Sequence, residues 1–512
     1  MVSKKWIGGA CLAAGLLFSF QSNAFAYEKP TYTNQVKVSL GSGSNVPFKL
    51  NSLFELENLT SGEKTLLVPE LYVSISSSNS VTTLTAGNDT YSARNGFRLS
   101  EIQNPAAKYA KFTAPTNVYK GASATDYPSI RTMKKSDAAE YLSSFKNSSG
   151  EVWYNIQLSD GSKGWVSSST TLLADSPTSL SLFSYLKSGK KAISQFRGSA
   201  ELKGSGSTAT LYNILGMEDY VKGVVPNEMA TGWPMEALKA QAIVARSYAD
   251  ASKTVSSTPA SQVYSGYSSE AKDTNAAVDA TKGQLVKYNG KTVQAYFFST
   301  SGGKTANIGD VWNSAQVPYL VSVSDPYENS PLSNWTETFR SSTLLKSFGF
   351  PDGTVLFGIT ANPTGANGEV GSVTMVTSAG TVTKTGNENT IRHLFPTTSN
   401  SYGYLKSNWF TMNSAQSFTV QGAASTQKQY SVKGAAVMTA SGETTVGDST
   451  VQVQTASGTV SQDADPASIT LNGKGWGHRI GMSQYGAKGF AEKGYDAEAI
   501  IKHYYPGTEI SQ

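Results

Sequence analysis

The sequence predicts an α+β protein, β-rich with few helices in its second half, plus a small inserted β-barrel module. Three observations carry that expectation. Short alternating apolar runs recur along the chain, divided by Gly, Ser and Asn turns. An aromatic hairpin pattern occupies residues 152–166, and one broad apolar helical face follows Pro234.

The 512 residues set a prior of about three domains. Lys4 and Lys5, the uncharged stretch Trp6–Phe20 and Ala24-Phe25-Ala26 form the basic region, apolar core and cleavage site of a secretory signal peptide. Cleavage is expected after Ala26, leaving no transmembrane anchor, because about 15 apolar residues fall short of the roughly 20 that span a bilayer. Cys11, the one cysteine, would leave with that segment, so the mature chain would have no disulfide. The formal charge of +5 drops to +3 without the two lysines, too mild to suggest nucleic acid. With three histidines and no mature cysteine, a zinc hydrolase site is hard to assemble. Charged residues make up 15% of the chain, against about 25% in an average domain, as in β-rich extracellular proteins.

Taken in order, residues 27–105 form a β-rich region with a strand at Val36–Leu40. A module at 106–173 follows. In it Val152–Leu158 and Gly164-Trp165-Val166 flank a turn at Asp160-Gly161. Trp153 and Trp165 are its expected contacts to sugar or peptide. The rest, 180–512, opens on a strand at Leu211–Leu215 and a helical turn at Glu218–Lys222 that Gly223 could end. Pro234 suits the first turn of a helix running to about Ser252. Asn289-Gly290 joins two strands as a hairpin, Phe418–Ile469 reads as strands, and Tyr485–Tyr505 is helical with a break at Gly494.

Three segments carry the chemistry. They are Gly223–Met229 leading into Glu236–Tyr248, then Ala295–Thr305, then Gly473–Ala487. Glycines beside Trp, Tyr, His and Gln suggest backbone brought close to a ligand. Glu228 follows an apolar run and a proline, so an apolar setting could raise its pKa and keep a proton for delivery. On the residues alone, a surface glutamate at a helix-flanking turn is the favoured reading. Glu236 is expected to be solvated. His478 could carry a proton, touch a ligand or be structural. The run Ser299-Thr300-Ser301 has no evident His-Asp pair beside it, which favours turn chemistry over a nucleophile.

These segments resemble, in order and spacing, the blocks of the stage II sporulation protein D and amidase-enhancer (SpoIID/LytB) family over roughly 180–512, with 27–105 as an associated leading region. The 152–166 hairpin resembles the bacterial Src-homology-3-like wall module. The family resemblance implies action on peptidoglycan glycan strands, as a lytic transglycosylase of peptide-stripped strands. Its "P-x-E-M" glutamate carries onto Glu228. The same resemblance supports a non-catalytic enhancer of a separate cell-wall amidase, because the motifs serve both roles. Gln241, Arg246, Ser299, Ser301, Lys474, His478, Gln484 and Tyr485 are the expected substrate contacts. Some relatives have His and Cys where this chain has Phe298 and Ser301, so no metal or other cofactor is expected. The pattern "G-H-G-x-G" reads Gly477-His478-Arg479-Ile480-Gly481 here. Peptidoglycan is therefore the expected partner, at the cell wall or outside it.

Overall fold

The computed structural model describes residues 27–512 except 28, 33, 104, 178–179, 186–192, 415–417, 422–426, 431–435, 440–441, 446–449, 456–457 and 464–467. The signal-peptide segment 1–26, with Cys11, lies outside the described residues. Among those described, no helix is long and apolar enough to cross a membrane. The architecture is α+β and strand-rich. The chain divides into two compact units, one of Gly41–Ile193 and Arg197–Asn213 with the described residues up to Thr31, the other of Tyr32–Leu40, Ser194–Phe196 and Ile214–Gln512.

The first unit is built from antiparallel strands. Its inserted barrel runs from Lys108–Phe112 to Thr171–Asp175, two strands that pair with each other. The expected hairpin forms from Val152–Gln157 and Lys163–Ser167, with Asn155 opposite Trp165. Ile156, Val166, Val118, Met133 and Phe112 fill the core. Gly164 has to be glycine: a Cβ there would lie 2.4 Å from the Val118 side chain. Trp153 corrects the expectation that both tryptophans face outward. It is buried, edge-on to Tyr119 at 5.7 Å, while the exposed aromatics of the barrel are Tyr127 and Phe145.

In the second unit, nine α-helices are described: α1 (Met217–Lys222), α2 (Val225–Glu228), α3 (Met235–Ser252), α4 (Lys272–Ala280), α5 (Ile308–Trp312), α6 (Ser341–Phe348), α7 (Glu388–His393), α8 (Gln484–Glu492) and α9 (Ala497–Tyr504). Helix α3 is apolar nearly all round, with Ala237, Leu238, Ala242, Ile243, Val244 and Ala245 buried. That pattern makes a central helix rather than a surface one, and α3 packs against α1, α4, α8 and α9. Lys253, at φ 59°, ends it, and Thr254–Ser256 then pairs parallel with Lys37–Ser39. The Asn289-Gly290 hairpin forms as expected, both residues at positive φ, the requirement of a type I′ turn.

A small lobe is inserted between the second and third motif segments. Its sheet pairs Asn334–Arg340 and Phe410–Ser414 with Ser468–Lys474, beside a second sheet of Leu356–Pro363, Val370–Thr377 and Gly380–Thr385. Helices α6 and α7 help to close a core of its own around Phe339, Leu344, Met375, Phe395 and Leu471. The segment read as strands from Phe418 contains three described hairpins.

Candidate active site

Glu228 is the last residue of α2, whose short run is started by Pro226 in its first turn and ended by extended, buried Met229. The Glu228 carboxylate accepts hydrogen bonds from the Val263 backbone N–H at 2.6 Å and the Gln484 side-chain amide at 3.2 Å. Burial raises its pKa above the ordinary glutamate value, and these two bonds only partly oppose the rise. The residue nevertheless remains partly open to solvent. Behind it, fully buried Tyr220 donates to Gln262 at 2.7 Å, and Gln262 donates to the Ala245 carbonyl of α3.

Two aromatic pairs lie near this carboxyl. Trp233 lies edge-on to Tyr485 at 5.0 Å, on the residue after the Gln484 that binds Glu228. Tyr402 lies edge-on to Trp476 at 6.0 Å, and its hydroxyl pKa is raised by burial, by Tyr404 and by the charge of Glu228. These four rings are partly or well exposed. The arrangement can present a proton beside partly exposed aromatic rings.

The glycine-rich segments work differently from the sequence expectation. They bring backbone to backbone. Gly302, at φ 75°, sits where a Cβ would come within 2.8 Å of the Gly475 nitrogen, and a Cβ on Gly475 would lie 2.6 Å from the Thr300 carbonyl. Thr300 and Trp476 exchange backbone hydrogen bonds, and Phe297–Phe298 pairs parallel with Met482–Ser483. Glu328 fastens the same loops, accepting from the backbone N–H groups of Ser301 and Gly302 and from the hydroxyls of Ser333 and Ser483. Asp325 accepts from the Tyr504 hydroxyl at 2.9 Å, and burial with the neighbouring Glu328 charge raises its pKa to about 6.

Of the expected contacts, Gln484 is brought onto Glu228 and Tyr485 against Trp233. Ser299 is partly exposed and its carbonyl accepts from the Tyr485 N–H. The other five lie elsewhere. Arg246 is buried in an ion pair with Glu218 and donates to the Ala242, Val278 and Gln284 carbonyls, so its donors are spent on structure. Gln241 is wholly buried on α3, with its side-chain amide unpartnered among the described residues. Ser301 is buried, its hydroxyl accepting from Gly303 and its carbonyl from Arg479. His478 packs among Tyr296, Phe298 and Trp312. Burial lowers its pKa to about 4, and Nδ1 accepts from the Ile480 N–H, so it is a neutral structural imidazole at neutral pH. Lys474 lines a cavity of the small lobe instead, its Nζ 5.0 Å from the Trp409 ring centre. Glu236 is not simply solvated either: it pairs with Lys239 and accepts from the Ala497 N–H at the start of α9.

Sequence reasoning missed Trp233, Tyr402, Asp325 and Glu328. Trp233 had a usable signal in the Trp-Pro step before α3; Tyr402, in a Ser- and Asn-rich loop, had none. Arg479 was noted only as a departure. It sits at φ 65°, the region glycine favours, and is fully buried against Glu369 at 2.9 Å. Burial lowers its pKa to about 10, so it stays charged at neutral pH.

Residues 205–288, which contain Glu228, match the family described as Stage II sporulation protein, SpoIID. Residues 114–171 match the Bacterial SH3 domain. The amidase enhancer of Bacillus subtilis (strain 168) is 36% identical over 302 residues, 57% of this chain but only 40% of that protein. The chain thus covers well under half of that relative's length. Stage II sporulation protein D of the same organism is 27% identical over 362 residues, 64% of this chain and 86% of that protein. An uncharacterized protein of Brachyspira hyodysenteriae is 29% identical over 312 residues, 59% of this chain and 68% of that one. The chain thus carries a SpoIID domain at residues 205–288 and is similar to these relatives over 57–64% of its length.

Proposed function

We propose that the chain is a secreted cell-wall protein that cleaves peptidoglycan glycan strands as a lytic transglycosylase, with Glu228 as its acid and base. The observation that carries this reading is the Glu228 carboxyl itself: pKa raised by burial, held by two amides, and partly open to solvent near the rings of Trp233, Tyr485, Tyr402 and Trp476. Aromatic faces suit the C–H faces of sugars. Protonated Glu228 gives its proton to the oxygen linking a muramic acid C1 to the next sugar, and the C1–O bond breaks. The C6 hydroxyl of the same muramic acid closes on C1 and returns its proton to the Glu228 carboxylate. The products are a 1,6-anhydro sugar end and a free hydroxyl end, with no water consumed. A second carboxylate, which ordinary glycosidases require, is not needed. The bacterial SH3 domain would hold the chain at the wall.

The 36% identity to a protein named amidase enhancer favours a second reading, stimulation of a separate wall amidase. One experiment separates the two. Peptide-free glycan strands are incubated with the protein and with Glu228→Gln, and products are read by mass spectrometry. Anhydro-muramyl ends from the parent and none from the variant support cleavage. If neither makes them, yet both accelerate an added amidase on intact wall, the enhancer reading replaces it.

A further inference from the structure

The small lobe carries a cavity of about 760 Å³, apart from the residues that hold Glu228. That volume falls within the roughly 300–1,000 Å³ usual for small-ligand sites. Its lining joins two chemistries. Trp409 supplies an aromatic face, fixed by its Nε1–H donating to the Asn367 carbonyl at 2.8 Å and by the Arg479 guanidinium 3.9 Å from the ring centre. The same lining holds a ladder of short polar side chains: Thr336, Asn472 and Thr411 stand in register across the three strands of the lobe sheet. Lys474 is the one charged side chain among the lining residues. It is exposed, so its charge is available to a ligand.

A flat apolar face with a row of amides and hydroxyls is the lining a pyranose ring needs, and a single cation adds a preference for one carboxylate per sugar. We propose that this cavity binds one muramic acid residue of a peptide-free glycan strand, with Lys474 pairing with its lactyl carboxylate. In an intact strand the stem peptide converts that carboxyl to a neutral amide. The cavity would therefore distinguish stripped from peptide-bearing strands by charge. This rests on the glycan reading of the Glu228 site and extends it. Lys474 joins Trp476 through Gly475, a span of at most about 7 Å, so one strand of a few sugars reaches both places. Arg479, where the family pattern has glycine, braces the Trp409 wall. The departure from the pattern thus falls where this lobe meets the site loop.

The test uses the full chain carrying Glu228→Gln, so that binding is read without cleavage. The probes are peptide-free glycan strands and the same strands with carboxylates reduced to alcohols, at low salt. The parent should bind the native strand about three- to fivefold more tightly than the reduced one, the range of a solvent-exposed ion pair. Lys474→Met, which keeps the side-chain stem, should bind the two alike. Thr411→Trp, which fills the cavity from an exposed strand position, should weaken both. Equal binding of both strands by the parent, or an unchanged preference in Lys474→Met, overturns the cavity proposal alone. No binding of either strand by the parent overturns the glycan reading as well.

Discussion

Glu228 and Glu328 are both half-buried glutamates of the second unit, and they are satisfied in opposite ways. Glu328 accepts from two backbone amides and two serine hydroxyls belonging to three segments. Glu228 accepts from one backbone amide and one side-chain amide, and burial raises its pKa. A carboxylate surrounded by donors is committed to holding loops together. One with fewer donors in a dry setting keeps a proton within reach. The difference teaches that donor count, more than burial alone, separates a fastening carboxylate from a reactive one.

The sharpest way to break this comparison is to remove each charge in turn. Glu228→Gln should lower the rate of glycan cleavage by about 10²–10⁴, with an unfolding midpoint near that of the parent. Exposed Glu498, on α9, gives a control whose Gln variant should cleave normally. Glu328→Gln should do the reverse. Placing an amide among four donors should cost about 2–4 kcal/mol in denaturant unfolding, with activity lost only as the folded fraction is lost. A stable, inactive Glu328→Gln would place chemistry on the wrong carboxylate.

Asp325 sharpens the same contrast through pH. Its folded pKa of about 6 lies above its unfolded value of 3.8. The folded state thus binds the extra proton, and stability falls as pH rises from about 4 to 6, by an amount on the order of 2–3 kcal/mol. Asp325→Asn should flatten that slope, measured by unfolding at a series of pH values. A parent whose stability is level across this window contradicts the assignment.

The smallest effect is expected at Gln484. Its amide lowers the Glu228 pKa, so Gln484→Leu should move the alkaline limb of the cleavage profile to higher pH while lowering the maximal rate. An unmoved limb would mean that Gln484 does not act on the ionisation of Glu228.

Much of the fold was legible because periodicity and turn chemistry are local. The Asn289-Gly290 hairpin, the helix after Pro234 and the paired strands around Trp165 follow from residues within a few positions of each other. Glu228 was singled out by its proline, its apolar neighbours and the family resemblance, and the structure gives it a pKa raised by burial. Other parts depended on distant contacts. Nothing near Arg246 announces that Glu218 takes its charge, and nothing near His478 announces three aromatic rings around it. The glycines were read as room for a ligand when they make room for another loop, two uses with the same local signature. The small lobe was missed as a unit because its sheet joins strands near Asn334 and Lys474 around a separate core.

The Gln484–Glu228 hydrogen bond joins residues 256 apart in the chain. Closing so long a loop costs about 5 kcal/mol of chain entropy. Prior folding of the lobe, whose Trp335 and Gly475 meet across 140 residues, would reduce that by only about 0.7 kcal/mol. The bond to Gln484 therefore belongs to the late stages of folding, and a chain that stops short of Gln484 leaves Glu228 without it. In the proposed wall-cleaving role, the site is thus completed by folding rather than by any one segment. The acid precedes the residue that steadies it by half the length of the sequence, so its setting is complete only once Gln484 has packed against it.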